Sequence, residues 1–267
     1  MHRPKPINRG LKLSGFNNLT KSLSFNLYDF CVARNDRERH AYVAYVQEHF
    51  SVAKITQVLK DVCEVIEARI LAVSDQAYDP WGASSMILIG DLERGGSDSA
   101  SRAVERASQV GGVSMHLDKS HICAHTYPDF RARGQVCSLR IDIAISTCGD
   151  VSPLGALNYL CRAFENDVIV MDYLVRGYTR DARGRRIYMD HTLQSIQDFI
   201  HADILGKYQR IDLALHSNNI WQTKMMRTEL DEQSYFLDPV DLKSRSVQRY
   251  LDLVKKEMRG LLYMWSE

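Results

Sequence analysis

Residues 137–147 read CSLRIDIAIST, and this stretch decides which class of fold we expect. Its large aliphatic residues, such as Leu139 and Ile141, alternate with polar or small residues. A two-residue period is typical of a β-strand, because successive side chains point to opposite faces of a sheet. The stretch therefore predicts one clear strand, which we expect to end at Cys148.

Further strands and helices are interleaved along the rest of the chain. We predict strands at 11–16, 70–73, 86–90, 121–126, 167–176 and 211–216. We predict helices at 36–50, 53–70, 154–165, 193–205 and 240–262. Asp36 is the expected cap of the first helix, and Ser152 with Pro153 that of the third. Since several neighbouring strands read as hairpins, the pattern favours an antiparallel α+β fold over a strictly parallel one.

The composition of the chain is that of a globular protein. Its 267 residues are 45% hydrophobic and 25% charged, with 34 Lys and Arg against 33 Asp and Glu. This length is enough for one domain of about 250 residues or for two of roughly half that size. A net charge of +1 provides no general attraction for nucleic acid, so we expect no nucleic-acid partner.

Nothing in the sequence points to a membrane or to secretion. The most apolar stretch, 168–175, contains Asp172 and is far shorter than the roughly 20 residues needed to span a bilayer. The basic residues 1–9 are not followed by the apolar run of a secretory signal. We therefore expect no membrane partner and a cytoplasmic location. Six cysteines without C-x-x-C spacing fit that compartment and argue against a disulfide framework and a zinc ribbon.

A long segment at 92–115 interrupts the pattern of strands and helices. It contains four glycines and several serines, with almost no large apolar residues. This composition predicts a surface loop. A loop of that length inside a compact domain is usually functional or loosely ordered.

The densest group of reactive side chains follows that loop, at 118–129, with the sequence DKSHICAHTYPD. From the residues alone, two interpretations stay open. The segment can be a half-buried strand whose polar side chains face solvent. It can also hold a metal through His121, Cys123 and His125, which have the period of one strand face. Ligands two residues apart on a straight strand lie about 6 to 7 Å from their neighbours, so one ion would need a bend to reach all three.

Several motifs, long and in order, carry a resemblance to a known family. They are KSHICAHTYP at 119–128, STCG at 146–149, SPLGALNYL at 152–160, LSGFNNLTKSLSF at 13–25 and DYLVRGYTRD at 172–181. Together they resemble the pyruvoyl-dependent S-adenosylmethionine decarboxylases of bacteria, in the longer of the two bacterial types. The resemblance covers nearly the whole chain. It implies an α/β sandwich in which helices flank antiparallel sheets.

The resemblance also implies how the chain is processed. Family members are made as a proenzyme that cuts itself before a serine, here between Lys119 and Ser120. The single decarboxylase domain, 1–267, would then consist of a β chain, 1–119, and an α chain, 120–267. Ser120 would become a pyruvoyl group, which forms a Schiff base with the substrate and acts as the electron sink when CO₂ leaves.

Two further residues match catalytic positions of the family. His125 matches the histidine that accepts a proton during processing, and a neutral imidazole suits that role. Cys148 matches the proton donor of the decarboxylation, and an ordinary thiol is mostly protonated at neutral pH, as a donor must be. Ser120 and His125 are an odd number of residues apart, so they would face opposite sides of a straight strand. We therefore expect a turn or bulge near Ser120.

The resemblance extends to residues that would bind the substrate. Tyr78 falls where the family has an aromatic residue that stacks on adenine, and Ser84 where a site serine is often found. The alternative for Tyr78, and for Trp81 close by, is core packing. Asp129 occupies a position usually held by glutamate, which shortens the acid by one methylene and leaves the recognition of ribose open.

The implied function is the decarboxylation of S-adenosylmethionine to S-adenosylmethioninamine, the aminopropyl donor for spermidine biosynthesis. Family members are multimers, so we expect a homo-oligomer. Mg²⁺ stimulates some of the longer enzymes, but this sequence shows no dedicated carboxylate cage, so we assign no Mg²⁺ ligands.

Two alternatives stay open. One is a pyruvoyl-dependent ornithine or arginine decarboxylase, which Asp129 keeps open. The other is a non-catalytic regulatory paralogue, and the intact set of Ser120, His125 and Cys148 argues against it.

Overall fold

The computed structural model describes residues 13–78, 81–91, 120–130, 135–148, 151–164 and 166–264; the predicted loop at 92–115 and Lys119 lie outside them. An eight-stranded sheet forms the centre of the fold, and all its neighbouring strands are antiparallel. Its strands are β2 (Thr20–Val32), β3 (Ala68–Ala77), β4 (Ala83–Asp91), β5 (Ser120–Asp129), β6 (Val136–Cys148), β7 (Val168–Arg176), β10 (Tyr208–Leu215) and β11 (Ile220–Arg227), in the order β10-β11-β7-β2-β6-β5-β4-β3. The predicted antiparallel α+β class is confirmed.

A small second sheet lies beside one end of the large one. It contains β1 (Leu13–Asn17), β8 (Thr179–Asp181) and β9 (Arg186–Ile187). The junction with β7 is a tight turn at Gly177, which has a φ of 79°. Two hydrogen bonds stabilise the turn: Asn18 N donates to Tyr178 O, and Tyr178 N donates to the side-chain oxygen of Asn18.

The helices of the described part of the chain are α1 (Asp36–His49), α2 (Val52–Val65), α3 (Leu157–Ala163), α4 (Ala202–Leu205) and α5 (Arg245–Tyr263). On one face of the sheet, Leu59 of α2 and Leu157 of α3 share a buried cluster with Ile141 of β6. On the other face, at one end, Val254 of α5 packs in a second cluster with Phe30 of β2. Across these described ranges, none of the helices combines the length and the apolar character that crossing a membrane requires.

The alternation in β6 distinguishes the two faces of the sheet. Every second residue from Cys137 to Thr147 is buried, and the residues between them are at least partly exposed. Directly opposite residues of paired strands share a face. His125 lies opposite Asp142, and Thr20 lies opposite Cys148. Asp142 and Cys148 belong to the partly exposed set of β6, so all four residues lie on the same, more exposed face of the sheet. We call this face, which carries His125, Asp142, Thr20 and Cys148, the polar face.

The boundaries of the first two helices differ from the prediction. Asn35, rather than Asp36, caps α1, because its side-chain oxygen accepts a hydrogen bond from Glu38 N at 3.0 Å. Helix α2 ends at Val65 and does not continue to residue 70. Glu67 has a φ of 58°, a conformation that ends a helix, and β3 then begins.

Three later helix predictions also need correction. The segment 154–165 starts as a 3-10 helix, Pro153–Ala156, and Ser152 makes no capping hydrogen bond. The segment 193–205 contains a 3-10 helix, Ile196–Phe199, and then only the single turn of α4. Its large apolar residues from Leu193 to Ile204 are buried, so their spacing records burial and not a continuous helix. The final helix begins at Arg245 rather than at residue 240.

Candidate active site

Ser120 and Cys148 meet at one end of the sheet. Ser120 is the first residue of β5 and Cys148 is the last residue of β6. The backbone N–H of Cys148 donates a hydrogen bond to Ser120 Oγ over 3.0 Å. The Cys148 thiol lies 3.8 Å from Thr20 Oγ1 on the neighbouring strand. The structure thus brings together the predicted pyruvoyl precursor and the predicted proton donor.

Cys148 differs from the other five cysteines, all of which lie in the described part of the chain. It is exposed, whereas Cys123 is half-buried and the remaining four are buried. Burial raises the pKa of the Cys31 and Cys161 thiols to about 12 and that of Cys63 to about 11. Cys148 is therefore the cysteine whose thiol is open to a substrate.

His125 does not lie near Ser120 of the same chain. The pairing of β4 with β5 runs without a register shift from Ile89 opposite Ser120 to Ser84 opposite His125, so the predicted bulge is absent from this stretch. Five residues of a strand span about 16 Å. The core-facing neighbours of His125, Ala124 and Thr126, are buried, and His125 itself faces the polar side. The expected turn or bulge near Ser120 is not found between Ser120 and His125, so the described part of β5 does not bring these two side chains together.

Tyr78 and Ser84 surround His125 instead. The Tyr78 hydroxyl lies 3.3 Å from His125 Nδ1. Ser84 is the cross-strand partner of His125 on β4, and Asp142 is its partner on β6. The ring of Tyr127 stacks on the imidazole at a centroid distance of 6.2 Å. Two of the predicted substrate-binding residues are therefore grouped with the predicted processing histidine.

A tight turn fixes the position of Tyr78. Tyr78 N donates to Gly82 O at 2.9 Å, and Gly82 has a φ of 108°. A Cβ on Gly82 would lie 2.9 Å from the backbone oxygen of Thr126, so only glycine lets the turn pack this closely on β5. Trp81 packs edge-on against Phe130, with ring centroids 4.4 Å apart, as the packing interpretation of this residue requires.

Asp129 lies far from the other predicted residues. It is the last residue of β5, it is exposed, and it pairs with Ser138. At the rise of a strand, about 13 Å separates its Cα from that of His125 and about 30 Å separates it from Ser120. The structure does not bring Asp129 into the group around Ser120.

The metal interpretation finds no support in the described ranges. His121, Cys123 and His125 lie along a straight stretch of β5 that pairs regularly with β4 and β6. No cluster of three or more His, Cys, Asp or Glu side chains that could hold a metal ion occurs in the part of the chain that the structure describes.

A buried polar network lies beside the Ser120 end of the sheet, and the sequence analysis missed it. Lys21, next to Thr20, pairs with Asp190 at 2.7 Å, and Asp190 accepts from His191 Nδ1 at 2.7 Å. The other His191 nitrogen lies 3.1 Å from the hydroxyl of Tyr173. Burial acts to raise the pKa of Asp190, but the His191 hydrogen bond and the Lys21 charge outweigh it and lower that pKa. Only the adjacent Asp190-His191 pair could have signalled this network in the sequence.

The chain is similar to known decarboxylases. A family model described as S-adenosylmethionine decarboxylase matches residues 42–177. The S-adenosylmethionine decarboxylase proenzyme of Clostridium botulinum is 41% identical over 93% of this chain and 93% of that protein. The proenzymes of Photorhabdus laumondii and Yersinia enterocolitica are 41% and 42% identical, each over 95% of this chain and 96% of the relative. A solved adenosylmethionine decarboxylase from Aquifex aeolicus aligns with 66% of this chain and 98% of its own, at 17% identity and a TM-score of 0.33.

Proposed function

The chain belongs to the S-adenosylmethionine decarboxylase family, and on that premise we propose that it is a self-cleaving decarboxylase of S-adenosylmethionine. The product, S-adenosylmethioninamine, is the aminopropyl donor for spermidine biosynthesis. The observation that carries the proposal is the hydrogen bond between Cys148 N–H and Ser120 Oγ, because it unites the two residues that the reaction needs. The relatives reported above are named for S-adenosylmethionine, which does not favour the alternative substrates ornithine and arginine.

Processing begins at Ser120. Its Oγ attacks the carbonyl carbon of Lys119, the Lys119–Ser120 C–N bond breaks, and the chain is then joined through an ester with a free Ser120 amine. Because Oγ accepts from Cys148 N–H, its own proton is left to transfer to a base and the oxygen keeps a lone pair for the attack.

Elimination then separates the two chains. A base removes the α-proton of Ser120, and Lys119 leaves as a carboxylate that takes Oγ with it. The remaining dehydroalanine tautomerises, water adds and ammonia is lost, which gives the pyruvoyl group at residue 120. The β chain, 1–119, holds β2 and β4, and the α chain, 120–267, holds β5 and β6 between them. Since strands of the two chains alternate in one sheet, we propose that they stay associated as a single domain.

The residues around Ser120 fit a pyruvoyl group. The serine that would become the group is intact, and the exposed Cys148 lies beside it, because its backbone N–H donates to Ser120 Oγ. The group supplies a ketone that condenses with the substrate amine and takes up the electron pair left when CO₂ departs. Cys148, exposed at the same end of the sheet, then gives its thiol proton to the α-carbon of the substrate. Stimulation by Mg²⁺ stays a prediction without named ligands.

We infer that His125 acts on another copy of the chain. An imidazole about 16 Å along the strand, on the other side of it, cannot reach the Ser120 α-proton of its own chain. We therefore propose a homo-oligomer in which the polar face of one copy lies against the Ser120 end of the next, so that His125 of one copy serves Ser120 of the other. Tyr78, placed to stack on adenine, and Ser84 accompany His125 to that site. Asp129 is proposed to bind ribose there.

Mixed oligomers test this arrangement. Neither Ser120→Ala nor His125→Ala should cut itself when produced alone. Produced together, the first variant supplies His125 and the second supplies Ser120, so the His125→Ala chains should be cleaved. Absence of any cleavage in verified mixed oligomers would contradict action between copies.

The function is tested by CO₂ release from S-adenosylmethionine, ornithine and arginine in parallel, with the cleaved protein. We expect release from S-adenosylmethionine alone. Release only from an amino acid would support the alternative substrate, and no release from any of the three would support a non-catalytic paralogue.

A further inference from the structure

We propose that the Tyr78 hydroxyl positions His125 by accepting a hydrogen bond from its Nδ1–H, which leaves the lone pair on Nε2 for use as a base. The inference rests on the proposed function, because it concerns the processing histidine. It adds to Tyr78 a role that its ring does not have, since stacking on adenine needs no hydroxyl.

The geometry around Nδ1 points to this hydrogen bond. Tyr78 Oη is 3.3 Å from Nδ1. Among the other described neighbours, Tyr127 contacts the imidazole ring on ring, and Asp142 is held by Arg140 at 3.2 Å. The Gly82 turn, tight against Thr126, holds Tyr78 beside the strand, so its hydroxyl is a fixed partner.

The hydrogen bond decides which nitrogen is basic. A neutral imidazole has one N–H and one lone pair, and a partner on one nitrogen selects the tautomer. Nε2 is the nitrogen farther from the backbone, so it is the one that can extend from the polar face toward a second copy. A proton on Nδ1, held by Tyr78, therefore gives the tautomer that can accept the Ser120 proton.

Nitrogen NMR of ¹⁵N-histidine-labelled Ser120→Ala protein tests the tautomer directly. This full-length variant cannot cut itself, and the His125 signals are assigned by comparison with a Ser120→Ala/His125→Gln protein. We expect neutral His125 to carry its proton on Nδ1. Adding Tyr78→Phe should shift the population toward Nε2–H, whereas adding the matched change Tyr127→Phe should not. Nε2–H in the Ser120→Ala protein, or the same tautomer with Tyr78→Phe, would overturn the proposal.

The processing rate provides the functional arm. Newly made Tyr78→Phe chains should cut themselves about fivefold more slowly than wild type, which is the effect of losing one hydrogen bond. Tyr127→Phe chains should cut themselves at the wild-type rate. Equal rates for the two variants would count against the proposal. The NMR result does not depend on activity, so a protein with the Nδ1–H tautomer and no CO₂ release would contradict the proposed function alone.

Discussion

Replacing Gly177 by alanine should destabilise the protein far more than the same change at Gly184. Both glycines have a positive φ, 79° and 77°, which costs an alanine about 1 kcal/mol. Their surroundings differ. A Cβ on Gly177 would lie 2.3 Å from the carbonyl oxygen of Asn18, whereas a Cβ on Gly184 would meet nothing within 4 Å.

The clash at Gly177 disturbs the junction of the two sheets. A carbon and an oxygen cannot stay 2.3 Å apart, so the turn must move away from Asn18. The bonds that cross this junction are Asn18 N to Tyr178 O at 3.2 Å and Tyr178 N to Asn18 Oδ1 at 2.8 Å. Each of these two hydrogen bonds contributes about 1 kcal/mol net to the free energy of unfolding. We therefore expect Gly177→Ala to cost about 3 kcal/mol and Gly184→Ala about 1 kcal/mol.

Urea unfolding measures both costs. The variants are compared in the Ser120→Ala background, which keeps one continuous chain, and at equal protein concentration. A difference of about 2 kcal/mol is expected. Losses that agree to within about 0.5 kcal/mol would refute the reasoning, which assigns the extra cost at Gly177 to the clash of the added carbon with Asn18.

Three further changes have definite outcomes. Cys148→Ser should still cut itself, but it should release CO₂ at least about 100-fold more slowly than wild type. Equal rates of CO₂ release would contradict the role of Cys148 as proton donor. Asp190→Asn removes the carboxylate paired with Lys21 and should lower the free energy of unfolding in urea by about 3 kcal/mol at neutral pH. This difference should shrink below about pH 4, because protonation of the Asp190 carboxyl, whose pKa is lowered in the fold, removes its stabilising charge. Burial and the neighbouring Asp167 raise the pKa of Asp29 in β2, so the contribution of this carboxyl to wild-type stability should fall as pH rises above about 4. Asp29→Asn should lose less melting temperature than wild type between pH 5 and pH 8, and parallel curves would show that Asp29 is not responsible.

The main strand was predictable because one face of it lies in the core and the other is open. In β6 this alternation is complete, from Cys137 to Thr147. Strand β2 was not predicted, although Leu23, Phe25 and Leu27 alternate there with the polar Ser22, Ser24 and Asn26. Its second half is less regular: Phe30, Cys31 and Val32 are all buried, because the cluster around α5 covers the other face of the sheet at that end. A strand buried on both faces has no two-residue signal.

The site was predictable only as far as it is local. The motif around Ser120 and the position of Cys148 at a strand end followed from the sequence. The odd spacing of Ser120 and His125 correctly indicated opposite faces of β5, and the pairing with β4 contains no bulge between the two residues. The contact between Tyr78 and His125 joins residues 47 positions apart, and no periodicity indicates such a pair.

The mass of the intact purified protein tests the central claim most directly. We predict two chains of 119 and 148 residues, divided between Lys119 and Ser120. The second should be lighter by the mass of one ammonia molecule than a fragment made by simple hydrolysis, since it begins with a pyruvoyl group, and Ser120→Ala should stay a single chain. A wild-type protein that remains one chain of 30.6 kDa, or whose second chain begins with an unmodified serine, would contradict the account.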